Sequence, residues 1–185
     1  MPYATRIPSE ELNVDIRDVL IDGISQLTDW LDDGLKDLTP AQVNWLPEGK
    51  AVSIGFDVWH VARTTDNITN FVFKKNPPIW MAQGFAARLG LSERDQGTGM
   101  SLEMARALVI SDPAVLREYS RKVGDDCLAY LKDVDPASLN EIQLIKPLGE
   151  MPRWRVFRQV VMTHGFMHLG EVNALKGIQG LQFGI

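Results

Sequence analysis

The chain contains only three histidines, His60, His164 and His168, and two of them are four residues apart. In a helix, an i, i+4 pair lies on one face, so both imidazoles can approach one ion at about 2.0–2.1 Å. A third histidine from a neighbouring helix would complete a three-histidine site with an open position for water or a substrate. The pattern predicts a site for one divalent metal. Spacing alone is a weak signal, because a single helical histidine is more often hydrogen-bonded than ligating.

Two acidic residues fall near these histidines in the sequence. Glu171 follows His168 by three residues and His164 by seven, so it shares their helix face. It could orient a ligating imidazole or act as an acid or base. Asp57 belongs to a polar stripe at helical spacing, which comprises Ser53, Asp57, His60, Thr64 and Asn67. Taken singly, each acid is typical of a solvated or capping charge. Beside the histidines, Asp57 and Glu171 are the candidate catalytic residues.

The elements that must position these residues are helices. Apolar residues recur at spacings of three and four over long stretches, and capping residues precede them. The predicted long helices cover residues 12–38 and 53–73, then run from Asp112-Pro113 to Asp135-Pro136 and from Pro152 to Gly177. Four helices of roughly 20 residues predict an all-α fold, an antiparallel four-helix bundle with short extra helices in the connections. We expect one domain over residues 1–185.

The connections contain further signals. Thr39-Pro40-Ala41-Gln42 has the pattern of a capping box that begins a short helix. In the connection from Lys74 to Met100, Pro77-Pro78 can open a short helix to Gly90, and turn residues without apolar periodicity follow. A connection of this length often lines a site, so we expect it to form part of a substrate wall. Strand-like alternation is confined to Glu141–Lys146.

Composition excludes several classes of protein. The chain has 19 Lys and Arg against 24 Asp and Glu, a net charge of −5, so nucleic acid is not an expected partner. No apolar run approaches the roughly 20 residues that cross a bilayer, and the first residues lack a signal-peptide pattern. We therefore expect a cytoplasmic protein without a membrane partner. The single Cys127 forms no internal disulfide, and its acidic neighbours disfavour a thiolate.

Three segments resemble the DinB-like superfamily of small bacterial helical bundles. They are LTPAQVNWLPEGKAVSIGFDVWHVAR (Leu38 to Arg63), GTGMS (Gly97 to Ser101) and HGFMHLGEVNALKGIQGL (His164 to Leu181). The resemblance implies a bundle that binds one divalent metal, commonly zinc or nickel, through His60, His164 and His168. It also implies a homodimer. The better understood relatives are metal-dependent transferases of low-molecular-weight thiols, similar to bacillithiol S-transferases and mycothiol-dependent isomerases.

The leading hypothesis is a thiol transferase acting on an electrophilic small-molecule substrate. The three histidines hold the metal, a small thiol takes the open position, and coordination produces the nucleophilic thiolate. A second hypothesis places water in the open position, as in a hydrolase, with Glu171 as the base. A third is a non-enzymatic metal-binding stress protein. The apolar run from Leu181 to Ile185 is expected to pack on the body or on a partner subunit.

Overall fold

The computed structural model describes residues 14–182 of the chain. The predicted start of the first helix at Leu12 lies outside this range, as do the last three residues of the run from Leu181 to Ile185. In chain order, the elements are α1 (Ile16–Leu35), α2 (Pro40–Val43), α3 (Ile54–Asp66), a π-helix (Asn67–Lys74), α4 (Ile79–Ala82), α5 (Phe85–Leu89), α6 (Leu102–Ala107), α7 (Pro113–Asp133), a 3₁₀-helix (Pro136–Asn140), β1 (Ile142–Ile145), β2 (Gly149–Pro152), α8 (Arg153–Val156), a second π-helix (Phe157–Thr163) and α9 (His164–Ile178).

The predicted all-α four-helix bundle is confirmed. Helix α1 packs against α7 and α9, and α3 packs against the same two helices. Helices α1 and α3 therefore lie at opposite corners of the bundle. The first π-helix continues α3, and the second joins α8 to α9, because the backbone stays helical at Asp66, Val156 and Thr163. No helix among residues 14–182 is long and apolar enough to cross a membrane.

Capping side chains begin the helices where the sequence predicts them. Thr39 and Gln42 form a complete capping box at α2, and the Ser53 hydroxyl accepts from the Phe56 amide at the start of α3. Asp112 accepts from the first free amides of α7, where Pro113 occupies the first turn. Each cap supplies an acceptor to an amide that has no partner inside its helix. These starts therefore follow from local sequence.

The predicted end of the fourth helix is wrong by three residues. Gly177 lies inside α9, and Gly180 takes the left-handed conformation beyond the helix end, with φ +70°. The Leu181 amide donates to the Lys176 carbonyl at 2.9 Å, and the Gly180 amide donates to the Gly177 carbonyl at 3.0 Å. This pair of bonds is the Schellman arrangement, which requires its left-handed residue one position after the cap.

The connections are more ordered than the sequence predicts. The region from Pro78 to Gly90 forms two short helices rather than one, since Gly84 between them has φ +70°. The alternation at 141–146 corresponds to β1, which pairs antiparallel with β2 in a hairpin. The β2 strand was missed because Gly149–Pro152 has no alternating pattern.

The core extends along the bundle as two clusters of buried side chains. Trp59 and Trp80 are fully buried in the first cluster, as expected of core aromatics, whereas Trp30 is partly exposed. Cys127 lies in the second cluster, where burial raises the pKa of its thiol to about 12. A catalytic cysteine is therefore not available in this chain.

Close packing of α1 on α7 depends on Gly124. A Cβ at this position would lie 2.5 Å from the Thr28 hydroxyl and 3.0 Å from the Thr28 Cβ. Because β-branched Thr28 is buried, Gly124→Ala should destabilise the fold by about 1–3 kcal/mol, measured by urea unfolding. Gly170→Ala is the matched control, since Gly170 is helical, exposed and free of neighbours within 4 Å. It should stabilise the protein by about 0.5–1 kcal/mol. Equal changes in the free energy of unfolding for the two variants would contradict this account of the packing.

Candidate metal centre

The three histidines lie together between α3 and α9. The Nε2 atoms of His60 and His164 are 3.1 Å apart. One ring nitrogen from each of the three histidines lies within 4.8 Å of the other two. Two nitrogens bound to one tetrahedral zinc at 2.0–2.1 Å would be about 3.3 Å apart. The donor set and its spacing therefore fit a single divalent cation, and His60 is close enough to act with the other two.

His164 and His168 lie at the edge of the core face of α9 and are half-buried. The spacing of apolar residues on this helix predicts that the two histidines face the bundle interior, and this prediction needs correction. The centre of the buried face runs through residues one position further along, Gly165 and Leu169. Since each residue is rotated by about 100° from the previous one, the imidazoles lie between the core and the adjoining cavities. This position leaves the histidines accessible to a ligand.

The protonation of His60 is fixed by a backbone carbonyl. Its Nδ1 lies 2.5 Å from the Gln96 carbonyl oxygen. A carbonyl only accepts, so Nδ1 carries the proton and donates it, and Nε2 faces the other histidines with a free lone pair. Gly97 makes this approach feasible: its φ is +88°, and a Cβ there would lie 2.9 Å from the His60 Cγ. The loop sequence thus brings its backbone against the ring.

Arg63, one turn after His60 on α3, holds the same loop in place. Its Nε donates to the Asp95 carbonyl at 3.0 Å, and its Nη2 donates to the Glu93 carbonyl at 3.3 Å. The guanidinium is almost fully buried, as is Asp66, which accepts from the amides of Ile79 and Trp80 at the start of α4. Arg63 and Asp66 of α3 therefore anchor the Lys74–Met100 connection, Asp66 near its beginning and Arg63 near its end. Sequence reasoning missed this role.

Both acidic residues that the sequence singles out contact the Nδ1 atom of His168, which is the ring nitrogen directed away from the other histidines. Its Nδ1 lies 2.9 Å from an Asp57 carboxylate oxygen and 2.8 Å from a Glu171 oxygen. Nδ1 is therefore the protonated nitrogen, and Nε2 is free to face the other histidines. Asp57 is fully buried, whereas Glu171 is 56% exposed. A carboxylate behind a ligating imidazole fixes its orientation and raises its basicity.

Burial and neighbouring charges set the protonation of the cluster. Burial, with smaller contributions from the neighbouring histidines, lowers the pKa of His164 to about 4, and burial also lowers the pKa of His60. Both rings are neutral near pH 7, as metal ligands must be. Burial also acts to lower the pKa of His168, but the Asp57 hydrogen bond and the two carboxylate charges outweigh it and raise that pKa. Burial raises the pKa of Asp57.

Two separate cavities border the histidine cluster, one at His60 and His164 and the other at His168. The first, of about 700 Å³, is bordered by His60, His164, the 96–99 loop and the 145–148 turn of the β-hairpin, and we call it the hairpin cavity. The second, of about 510 Å³, is bordered by Asp57, His168 and Glu171 and is called the carboxylate cavity. Of the Lys74–Met100 connection, the 96–99 segment borders the hairpin cavity, and its role as a substrate wall stays a prediction. The hairpin wall was not predicted.

Comparison with known proteins identifies the family. A sequence model of the DinB superfamily matches residues 24–172, a range that includes all three histidines and both carboxylates. The chain belongs to the DinB superfamily. A crystal structure of a conserved protein of a locus from Enterococcus faecalis is similar to this DinB protein, with a TM-score of 0.77 and 18% identity. The similarity covers 90% of this chain and 99% of the other, and shows the shared fold. No curated protein matches the chain.

The close contact between Gly97 and His60 allows a test of whether the 96–99 loop of this DinB protein positions the His60 ring for metal binding. Gly97→Ala should displace the His60 ring or the Gln96 carbonyl, and weaken divalent-metal affinity by at least about tenfold, measured by competition with a chelator. Gly99→Ala is the control, because Gly99 also has positive φ (+79°) but a Cβ there would have no neighbouring atom within 4 Å. Both variants carry backbone strain of about 1 kcal/mol or more. Equal metal affinities in the two variants would contradict the proposed loop contact.

The two carboxylates that contact Nδ1 of His168 differ in burial. This difference predicts that removing their charges changes the metal affinity by different amounts. Asp57→Asn removes a buried charge from the ring and should lower metal affinity by about 10-fold to 100-fold. Glu171→Gln removes a charge that is half exposed and screened by water, so its effect should be several-fold smaller. Metal titration of both variants at one pH makes the comparison. A larger loss in Glu171→Gln would refute the assignment of Asp57 as the main partner of His168.

Proposed function

We propose that this DinB superfamily protein is a divalent-metal-dependent transferase, which joins a low-molecular-weight thiol to an electrophilic small molecule. The observation that carries the proposal is the convergence of three imidazoles, each with a ring nitrogen available for an ion, two of which, His60 and His164, border a large cavity. Imidazole donors suit zinc and nickel, which are the expected metals. When bound, such a cation supplies Lewis-acid chemistry that stabilises the thiolate form of a thiol at neutral pH.

The residues of the chain have distinct roles in this proposal. His60, His164 and His168 hold the cation through the nitrogens that face one another. Asp57 and Glu171 are positioning residues that act through the Nδ1 atom of His168. The co-substrate sulfur loses its proton to solvent and forms a bond to the electrophilic carbon. The bond from that carbon to its leaving group breaks, and the leaving group takes the electron pair.

The sulfur has to come from a co-substrate. The only cysteine of the chain, Cys127, is fully buried in the second core cluster. Burial raises the pKa of its thiol to about 12, so it stays protonated at neutral pH. Neither cavity at the histidines includes it in its wall. An external thiol bound in the hairpin cavity is consistent with this arrangement.

The position of Glu171 favours the transferase over a hydrolase that uses this residue as base. A base must lie within hydrogen-bonding reach of the water that it deprotonates. Glu171 instead contacts the Nδ1 atom of His168, on the side opposite the free nitrogen, and it borders the carboxylate cavity. This geometry supports an orienting role. The homodimer, the cytoplasmic location and the single domain over residues 1–185 stay predictions.

A conjugation assay tests the proposed activity. Metal-loaded protein mixed with bacillithiol, mycothiol or glutathione and an electrophilic dye should form the conjugate with at least one thiol, and His164→Ala should reduce the rate to the metal-free background. Cys127→Ala is the control and should retain the activity, since the transferred sulfur is external. The absence of metal-dependent conjugation with every thiol would refute the proposal. Ester or amide turnover without thiol, lost in His164→Ala, would favour the hydrolase.

A further inference from the structure

The two cavities at the histidines differ in charge. Among the described residues that border the hairpin cavity, Lys146 is the only charged side chain, because His60 and His164 are neutral near pH 7 and none of the others is Asp, Glu or Arg. The carboxylate cavity has the opposite character, with Glu48, Asp57 and Glu171 against a single Lys50. An anion is therefore attracted to the hairpin cavity and repelled by the carboxylate cavity.

Lys146 lies in the turn between β1 and β2, at the wall of the hairpin cavity. Its side chain is exposed, and no carboxylate of residues 14–182 lies within 4.0 Å of its ammonium group. Ile145 and Leu148, on either side of the turn, border the same cavity, and the strand pairing from Ile142 to Ile145 holds the turn there. The ammonium group is thus placed at a ligand cavity without an internal partner.

The remaining wall of the hairpin cavity is mostly apolar and suits an uncharged body of a ligand. Three amide side chains, those of Asn67, Gln96 and Gln159, border the cavity together with apolar residues. Asn67 donates to the Gln96 side-chain oxygen, which orders two of these amides. The volume of about 700 Å³ lies within the range of roughly 300–1,000 Å³ that is typical of small-molecule sites. The cavity can therefore hold a ligand that extends from the histidines toward the hairpin.

We propose that Lys146 is a specificity determinant, which binds a carboxylate of the thiol co-substrate while the sulfur lies at the three histidines. The inference rests on the proposed thiol-transferase function and adds the class of thiol, an anionic one with its carboxylate remote from its sulfur. Two observations support this inference: the described wall of the hairpin cavity has no acidic residue, and the ammonium group of Lys146 has no carboxylate partner among the described residues. The carboxylate cavity on the other side of His168 does not accept the anion.

The test compares two thiols that differ only in their remote end, mercaptohexanoate and mercaptohexanol. Each is titrated into cobalt(II)-loaded protein, with calorimetry for affinity and the thiolate-to-cobalt absorption band for sulfur coordination. The wild type should bind mercaptohexanoate about twofold to fivefold more tightly than mercaptohexanol, the ratio expected for one exposed charge pair. The preference should fall as salt is added. Lys146→Gln should abolish it, and Lys146→Arg should restore it.

Lys50→Gln is the matched control, because it removes the same charge from the carboxylate cavity. It should leave the preference for mercaptohexanoate unchanged. A preference that survives in Lys146→Gln, or that is lost equally in Lys50→Gln, would overturn the inference.

The two readouts separate this inference from the proposed function. An absorption band without any difference between the thiols overturns the role of Lys146 and supports thiol coordination. A preference that depends on Lys146, measured by calorimetry without a band, supports the anion site and refutes thiol coordination. Failure of both thiols to bind the wild type refutes both.

Discussion

Hydrogen bonds on the outer ring nitrogens determine how the candidate metal centre is arranged. The Gln96 carbonyl accepts from Nδ1 of His60, and the carboxylates of Asp57 and Glu171 accept from Nδ1 of His168. In these two histidines each acceptor fixes the proton on Nδ1 and leaves Nε2 with a free lone pair, whereas the buried Nδ1 of His164 has no hydrogen-bond partner within residues 14–182. Without these bonds, the rings of His60 and His168 could rotate or change tautomer and would no longer present their donors to the point that His164 faces.

Much of the fold can be understood as support for these bonds. The buried carboxylate of Asp57 comes from the same helix as His60, and packing of α3 against α9 brings it to His168. Arg63 and Asp66, further along α3, anchor the connection that carries the Gln96 carbonyl. Helix α3 therefore supplies the candidate ligand His60 and the carboxylate of Asp57 that contacts His168. It also supplies the side chains that anchor the loop at Gln96. A chain of 185 residues can bury enough apolar surface to fold without a metal, so a metal at this site is expected to serve chemistry.

Signals that are local in sequence predict the fold and part of the site. Capping by Ser53 and Asp112 gives the helix starts, and the spacing of His164 and His168 places both on one face. Contacts between residues that are distant in the sequence leave no such local signal. A backbone carbonyl such as that of Gln96 has no sequence pattern, and the hairpin wall depends on β2, which lacks alternation. Gly97 was a usable signal, because a glycine in a turn can mark a close approach of the backbone.

The central claim is that the three histidines together hold one divalent metal ion. Elemental analysis of the purified protein, wild type beside His60→Ala, tests it most directly, with circular dichroism to confirm that both are folded. The account predicts about one equivalent of a divalent metal per chain in the wild type and its loss in the variant, as a three-ligand site requires. Metal retained at the same stoichiometry in His60→Ala, or a wild type that binds no divalent metal when loaded, would contradict it.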